Sequence, residues 1–400
     1  MNGPGRDMHK LQAGITIIEE LVAMVNGIII LGGVMQSMVT NQRNNAWSDD
    51  VAYIQENARY AMEVMARDIR WAGYWGCAVN MSTAGAGVTT FANALDVPSG
   101  DNWLALEGVR GYEGSVDAFP DSLISGTTLW ENNVNFSGNE DYAPDAVIFR
   151  GADDDLDLNV VSHAANSAQF KLSRNNPLAV GDLALVVSED CRDVGLMQMT
   201  GPNSGGTNVE FVHNTGSSVS PGNCTKAIRW TESFDCEDPD YPTPGGLSYG
   251  PGSSLMRFQA VGYYIGTSAA DTAEPALYRV QYANMDNAGG VAVRTDEIAI
   301  GVEDMQLLYG FDTDADGLAN VYLRADEIDV ATGEWKQVVS VRMSLLMRGF
   351  ADTREQTGAA NYVAYPFAGD DDTYAGQGYN DNVLRQEVSK TVRLRNIGAG

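Results

Sequence analysis

Residues 15–39, ITIIEELVAMVNGIIILGGVMQSMV, form the long apolar run of this chain, and their reading decides its architecture. A helix rising about 1.5 Å per residue crosses a hydrocarbon core of about 30 Å with roughly 20 apolar residues, so this run is long enough to span a bilayer. The sequence after it is too polar to do the same. Arg6, His9 and Lys10 precede the run, and positive charge there holds the N-terminus on the cytoplasmic side, which predicts export of everything that follows. An ordinary secretory signal has a shorter apolar core ending in a small-residue cleavage site, and it seldom carries carboxylates near the start of that core. Glu19 and Glu20 break that pattern. A charge at membrane depth costs about 2.5–3.5 kcal/mol, so a carboxylate here implies a partner that compensates it.

Working outward, apolar residues recur at Val51, Ile54, Ala58, Met62, Met65, Ile69 and Ala72, spacings of three and four that draw one stripe along a helix. Arg59, Glu63 and Arg67 lie four apart on another face, and Gly73 and Gly76 supply stop signals. The pattern predicts one long N-terminal helix, apolar all round in its first half and one-sided in its second, packed on a sheet. Farther along, Val339, Val341, Met343, Leu345 and Met347 alternate with Ser340, Arg342, Ser344 and Arg348, the period of a half-buried strand. Similar runs at 145–150, 182–188, 258–265, 276–282 and 388–394, with no second long helix, predict a mainly antiparallel sheet. The Gly/Ser/Pro/Asn-rich stretches 200–222, 237–254 and 368–382 read as long loops. The expected class is α+β: a leader at 1–14, an apolar helix at 15–39, its amphipathic continuation at 40–76 and a β-rich body at 77–400.

The residues Gly14-Ile15-Thr16-Ile17-Ile18-Glu19, followed by Leu21-Val22-Ala23-Met24, resemble the processing and assembly motif of type IV prepilins. The resemblance implies that a prepilin peptidase cuts between Gly14 and Ile15 and methylates the new N-terminus. Glu19 then becomes the fifth mature residue, placed to neutralise the α-amine of a neighbouring subunit in surroundings where screening is weak. Ile15 stands where the family most often has phenylalanine, and Glu20 where it has an apolar residue, which favours a specialised subunit over a major pilin. Residues 55–77, QENARYAMEVMARDIRWAGYWGC, and residues 302–348 look like the corresponding parts of the PilW family of minor pilins. That likeness implies a minor pilin in pilus initiation or at the tip. Its implied partners are other pilins, the peptidase and the inner-membrane assembly platform. The body would lie in the periplasm before assembly and at the cell surface after it. A type II secretion pseudopilin and a calcium-dependent surface adhesin on a pilin-type anchor are the competing expectations.

The remaining chemistry is sparse. With 53 acidic against 25 basic residues the formal charge is −28, a field that repels nucleic-acid phosphates and argues against general nucleic-acid binding. Cys77, Cys191, Cys224 and Cys236 lack Cys-x-x-Cys spacing; in an exported chain they are candidates for two disulfides with three possible connectivities, of which Cys224 to Cys236 is the simplest local loop. Asp312, Asp314, Asp316, Leu318 and Asn320, with Gly317 at the sharp turn, follow the spacing of a calcium loop, Leu318 contributing its carbonyl. Position twelve is Leu323, so Asp326 or Glu327 would have to complete the shell; the alternative is a solvated Asp/Gly turn. A second acidic run, Asp153-Asp154-Asp155 with Asp157, reads as a solvated turn or a lesser cation site. Gly246-Leu247-Ser248-Tyr249-Gly250 matches a nucleophile elbow only in letters, since it lies among prolines and glycines, and His163 and His213 are the bases left to serve it. The expectation is a protein that is not an enzyme.

Overall fold

The computed structural model describes residues 16–78, 90–96, 107–114, 119, 129, 143–165, 167–202, 209–216, 219–229, 246–282, 293–329, 334–352, 360–362, 377–379 and 383–394. A single unbroken helix, α1 (Ile17–Trp71), runs for 55 residues, about 80 Å at 1.5 Å per residue. Its two halves differ as their composition dictates. Over the first half the side chains are exposed, and an 18-residue window of mean hydropathy 1.9 has none of its residues buried, long and apolar enough to cross a membrane. From Asp50 onward one face turns inward, burying Ile54, Ala58, Ala61, Met65 and Ile69. The helix stops at Ala72 because Gly73 takes φ +73°, the left-handed region that favours glycine.

Among the described residues the body is antiparallel sheet with one exception. Its strands are β1 (Thr90–Asn93), β2 (Val109–Tyr112), β3 (Ala146–His163), β4 (Gln169–Leu172), β5 (Leu183–Val187), β6 (Asp193–Gln198), β7 (Glu210–Val212), β8 (Ser254–Thr267), β9 (Pro275–Tyr282) and β10 (Val293–Ile300), which together make a ten-stranded sheet. Next come β11 (Val302–Phe311), β12 (Val321–Leu323), β13 (Val338–Asp352), the short pair β14 (Ala360–Tyr362) and β15 (Gln377–Tyr379), and finally β16 (Val383–Arg393). A four-stranded sheet runs in the order β12-β11-β13-β16. The exception is the parallel pair β1–β6.

The helix and the two sheets share one core. Ile54, Met65 and Ile69 of α1 meet Met305 and Leu307 of β11, Val341, Met343 and Leu345 of β13, and Val261 and Tyr263 of β8. Strand β8 is buried on both faces: Val261, Tyr263 and Ile265 join the helix-side core, while Phe258, Ala260 and Tyr264 face a second cluster containing Trp75, Ile148 and Leu185. A third cluster, around Phe170, Phe211, Ile228 and Tyr249, closes the far end of the large sheet. The α+β class and the helix-on-sheet arrangement are as expected from the sequence. The half-buried reading of β13 is corrected: Ser340 and Ser344, on its polar face, are also buried, because β16 and β11 flank the strand and Ser344 donates its hydroxyl to Glu387 at 2.7 Å.

Candidate functional site

The N-terminus of α1 is closed by a capping box built from Thr16-x-x-Glu19. The Thr16 hydroxyl accepts the Glu19 N–H at 3.4 Å, and Glu19 Oε2 accepts both the Thr16 N–H and its hydroxyl proton at 3.0 Å. Glu19 therefore stabilises its own helix in the isolated chain, in addition to any role toward a neighbour. Glu20 stands beside it in the first turn. Gly14 and Ile15 lie outside the described residues.

At the other end of α1, Asp68 is buried at 2% exposure and fastens the helix to the large sheet. Tyr263 of β8 donates its hydroxyl to Asp68 Oδ2 at 2.6 Å and Arg279 of β9 donates Nε–H to the same oxygen at 2.7 Å, while Trp71 Nε1–H reaches Oδ1 at 3.3 Å. Burial pushes the Tyr263 hydroxyl well above its ordinary pKa, so it stays a donor. A second buried set joins the sheets: Glu303 of β11 pairs bidentately with Arg385 of β16 and also faces Arg348 of β13, which pairs with Glu274. The sequence reading missed Asp68. Its signal was a charge three residues beyond Met65, within the otherwise apolar stripe.

The loop between β11 and β12 brings Asp312, Asp314 and Asp316 together, with one carboxylate oxygen of each within 4.8 Å of the others. Local backbone chemistry shapes it: Ala315 takes φ +60° and Gly317 φ +80°, and Asp312 accepts the Gly317 N–H at 2.7 Å and the Asp314 N–H at 3.2 Å. Burial raises the Asp312 pKa, but these N–H donors outweigh it and hold the carboxyl below its usual value. The three carboxylates suit a hard cation. The other side chains of the anticipated shell are engaged within the protein. Asn320 Oδ1 accepts the Thr313 N–H at 2.7 Å and its hydroxyl at 3.1 Å. Leu318 donates its N–H to Asp316 at 2.7 Å, a bond that does not involve the carbonyl anticipated as a ligand. Glu327 Oε2 accepts the Arg324 N–H at 2.7 Å, and Asp326 pairs with the Arg324 guanidinium at 3.2 Å.

The other candidates resolve differently. Asp153 and Leu158 bracket a register shift in β3, a bulge within which Asp157 takes φ +44° and pairs with Arg174. Among the described residues this run forms no convergent cation cluster. Cys77, just past the helix, is bonded to Cys191 in the β5–β6 turn, a separation of 114 residues. Cys224 is disulfide-bonded as well, to a partner outside the described residues, and Cys236 also lies outside them. Ser248 is exposed in irregular backbone with no helix after it. His163 does lie close by, but Nδ1 accepts the Tyr249 N–H at 3.2 Å and Nε2 faces Ser167 O at 3.2 Å, so both ring nitrogens are engaged.

Comparison with known proteins adds one finding. No curated protein and no solved structure matches the chain. Residues 262–396, about a third of the chain, match the model of the family PilW, described as Type IV Pilus-assembly protein W. The matched region takes in the end of β8, then β9, β10 and the whole four-stranded sheet on which α1 packs, and it ties this chain to type IV pilus assembly.

Proposed function

We propose that the chain is a minor pilin that enters type IV pili after prepilin-type processing, acting at initiation or at the tip. The observation that carries this reading is a single helix whose apolar half is wholly unburied and whose other half packs on the sheet matched by the PilW family. In water such a surface would be a severe liability, whereas a bilayer and then a filament interior bury it. Glu19 is the group that would exchange its contact with Thr16 for the α-amine of a neighbouring subunit once residues 1–14 are removed. Other pilins, the prepilin peptidase and the inner-membrane assembly platform are the partners this scheme requires. The bond between Cys77 and Cys191 accords with a body that matures in an oxidising compartment. Calcium is proposed as a structural ion at Asp312, Asp314 and Asp316, where three carboxylates converge.

The test is mass spectrometry of the chain recovered from sheared filaments. The expected result is a subunit beginning at methylated Ile15. A mature start near residue 40, as an ordinary signal peptidase would leave, or absence of the chain from filaments, overturns the reading.

A further inference from the structure

The C-terminal end of α1 borders a cleft of ≈ 600 Å³, within the roughly 300–1,000 Å³ typical of small-molecule sites. Its walls come from the last turns of α1, the Tyr74 segment, the β3 bulge, β8 and β9. Arg67, Arg70 and Arg279 stand there against Asp68, Asp153 and Asp155, so the cleft is formally neutral in a chain of charge −28. That balance decides what suits it. A phosphorylated ligand would meet Asp153 and Asp155, a cation would meet three guanidinium groups, and an apolar ligand would strip water from the charges that are still hydrated, Asp68 being already buried. An uncharged molecule rich in hydroxyls suits both signs, because each hydroxyl donates to a carboxylate and accepts from a guanidinium or amide.

The polar groups are set in advance. Arg279 is held by Asp68 at 2.7 Å, and Gln259 Nε2 donates to Asp153 Oδ2 at 3.0 Å while Asp153 Oδ1 accepts the Asp155 N–H at 3.0 Å. Trp71 is set too. Its indole N–H is bound to Asp68, and its ring lies over Gly151, where a Cβ would come within 2.7 Å of the ring. The chain thus keeps a glycine beneath an indole that it leaves half-buried at the cleft wall. A fixed aromatic surface beside planar hydrogen-bonding groups matches the two sides of a pyranose ring, its C–H face and its ring of hydroxyls.

We propose that this cleft binds a neutral pyranose sugar, with Trp71 as the stacking surface and Gln259, Asp153 and the neighbouring arginines reading the hydroxyls. The inference does not depend on pilus assembly. To test it, the full-length protein is held in a zwitterionic, non-glycosidic detergent and offered the methyl glycosides of glucose, galactose, mannose and N-acetylglucosamine. Saturation-transfer NMR detects binding and calorimetry measures it. At least one glycoside is expected to bind with Kd of about a millimolar, as ligand size dictates, and to bind equally at low and high salt because it carries no charge. Trp71→Leu and Gln259→Ala should each weaken it about tenfold or more; Gln259→Ala is the variant expected to keep the wild-type melting temperature. The proposal is overturned if none of the glycosides binds at tens of millimolar, or if Gln259→Ala binds as tightly as wild type. Preference for a glutamate hexapeptide over every glycoside would assign the cleft to a protein segment instead.

Discussion

His213 is fully buried among Phe170, Phe211 and His163, and among the described residues neither of its ring nitrogens finds a partner in another side chain or backbone group. Burial, with smaller contributions from His163 and Lys226, lowers its pKa to about 3. His163 must likewise be neutral, since its Nδ1 accepts a backbone N–H, and burial lowers its pKa as well. In the unfolded chain both histidines take up a proton near pH 6.5, so stability is lost as the pH falls below that value. For His213 alone the loss amounts to about 2 kcal/mol by pH 5. Asp145 acts in the opposite sense: burial and the nearby Glu113 raise its pKa well above the ordinary value, so it favours the folded state as the pH drops. Comparison of variants therefore isolates the histidine. His213→Leu is expected to lose about 2 kcal/mol less than wild type between pH 7 and pH 5, measured by denaturant unfolding at each pH. Equal losses would remove His213 from the account.

Among the elements, those with strong local periodicity were legible in the sequence. The stripe from Ile54 to Ala72 identified the packed half of α1, and Val341, Met343 and Leu345 identified β13. What periodicity cannot convey is which element covers the second face of a strand, and so alternation alone places Ser340 and Ser344 outward where the structure buries them. The β11–β12 loop was legible as well, because Asp-x-Asp-x-Asp-Gly is a local code whose carboxylates converge through turns that involve only neighbouring residues. The closing ligand was not, since Asp326 and Glu327 are drawn away by Arg324 through a 3-10 turn at Ala325–Glu327. A cation bound only by the folded state adds RT ln(1 + [L]/Kd), about 2.7 kcal/mol at a hundredfold excess over Kd. Millimolar calcium is therefore expected to raise the melting temperature of the wild-type chain in a way that sodium at matched ionic strength does not. Asp312→Ala combined with Asp314→Ala should abolish that calcium-specific rise. A rise that survives in the double variant would mean the ion binds elsewhere.

At the scale of the whole molecule, the three larger hydrophobic clusters among the described residues lie in series, from the α1 face, across β3 and β8, to the far end of the large sheet. This order rests on contacts between distant residues, such as β3 with β8, β1 with β6 and Asp68 with Arg279, and pairings of that kind leave no trace in local spacing. The Cys77–Cys191 bond belongs to the same class, and the loop it closes makes it a large constraint on the unfolded chain. Replacing both cysteines with serine is expected to lower unfolding stability by about 2–5 kcal/mol, checked by denaturant titration. The same bond has a mechanical consequence. Were the chain a filament subunit as proposed, tension would reach the body through the packed half of α1, which runs from Asp50 to within a few residues of Cys77. The covalent link carries that load directly to the β5–β6 turn and keeps the 114-residue separation between its cysteines from paying out as slack, about 400 Å of chain at full extension. Stretched singly from its two termini, the wild-type chain should come out shorter than the double serine variant by about that length, which makes the bond a limit on how far the chain can lengthen once it unfolds.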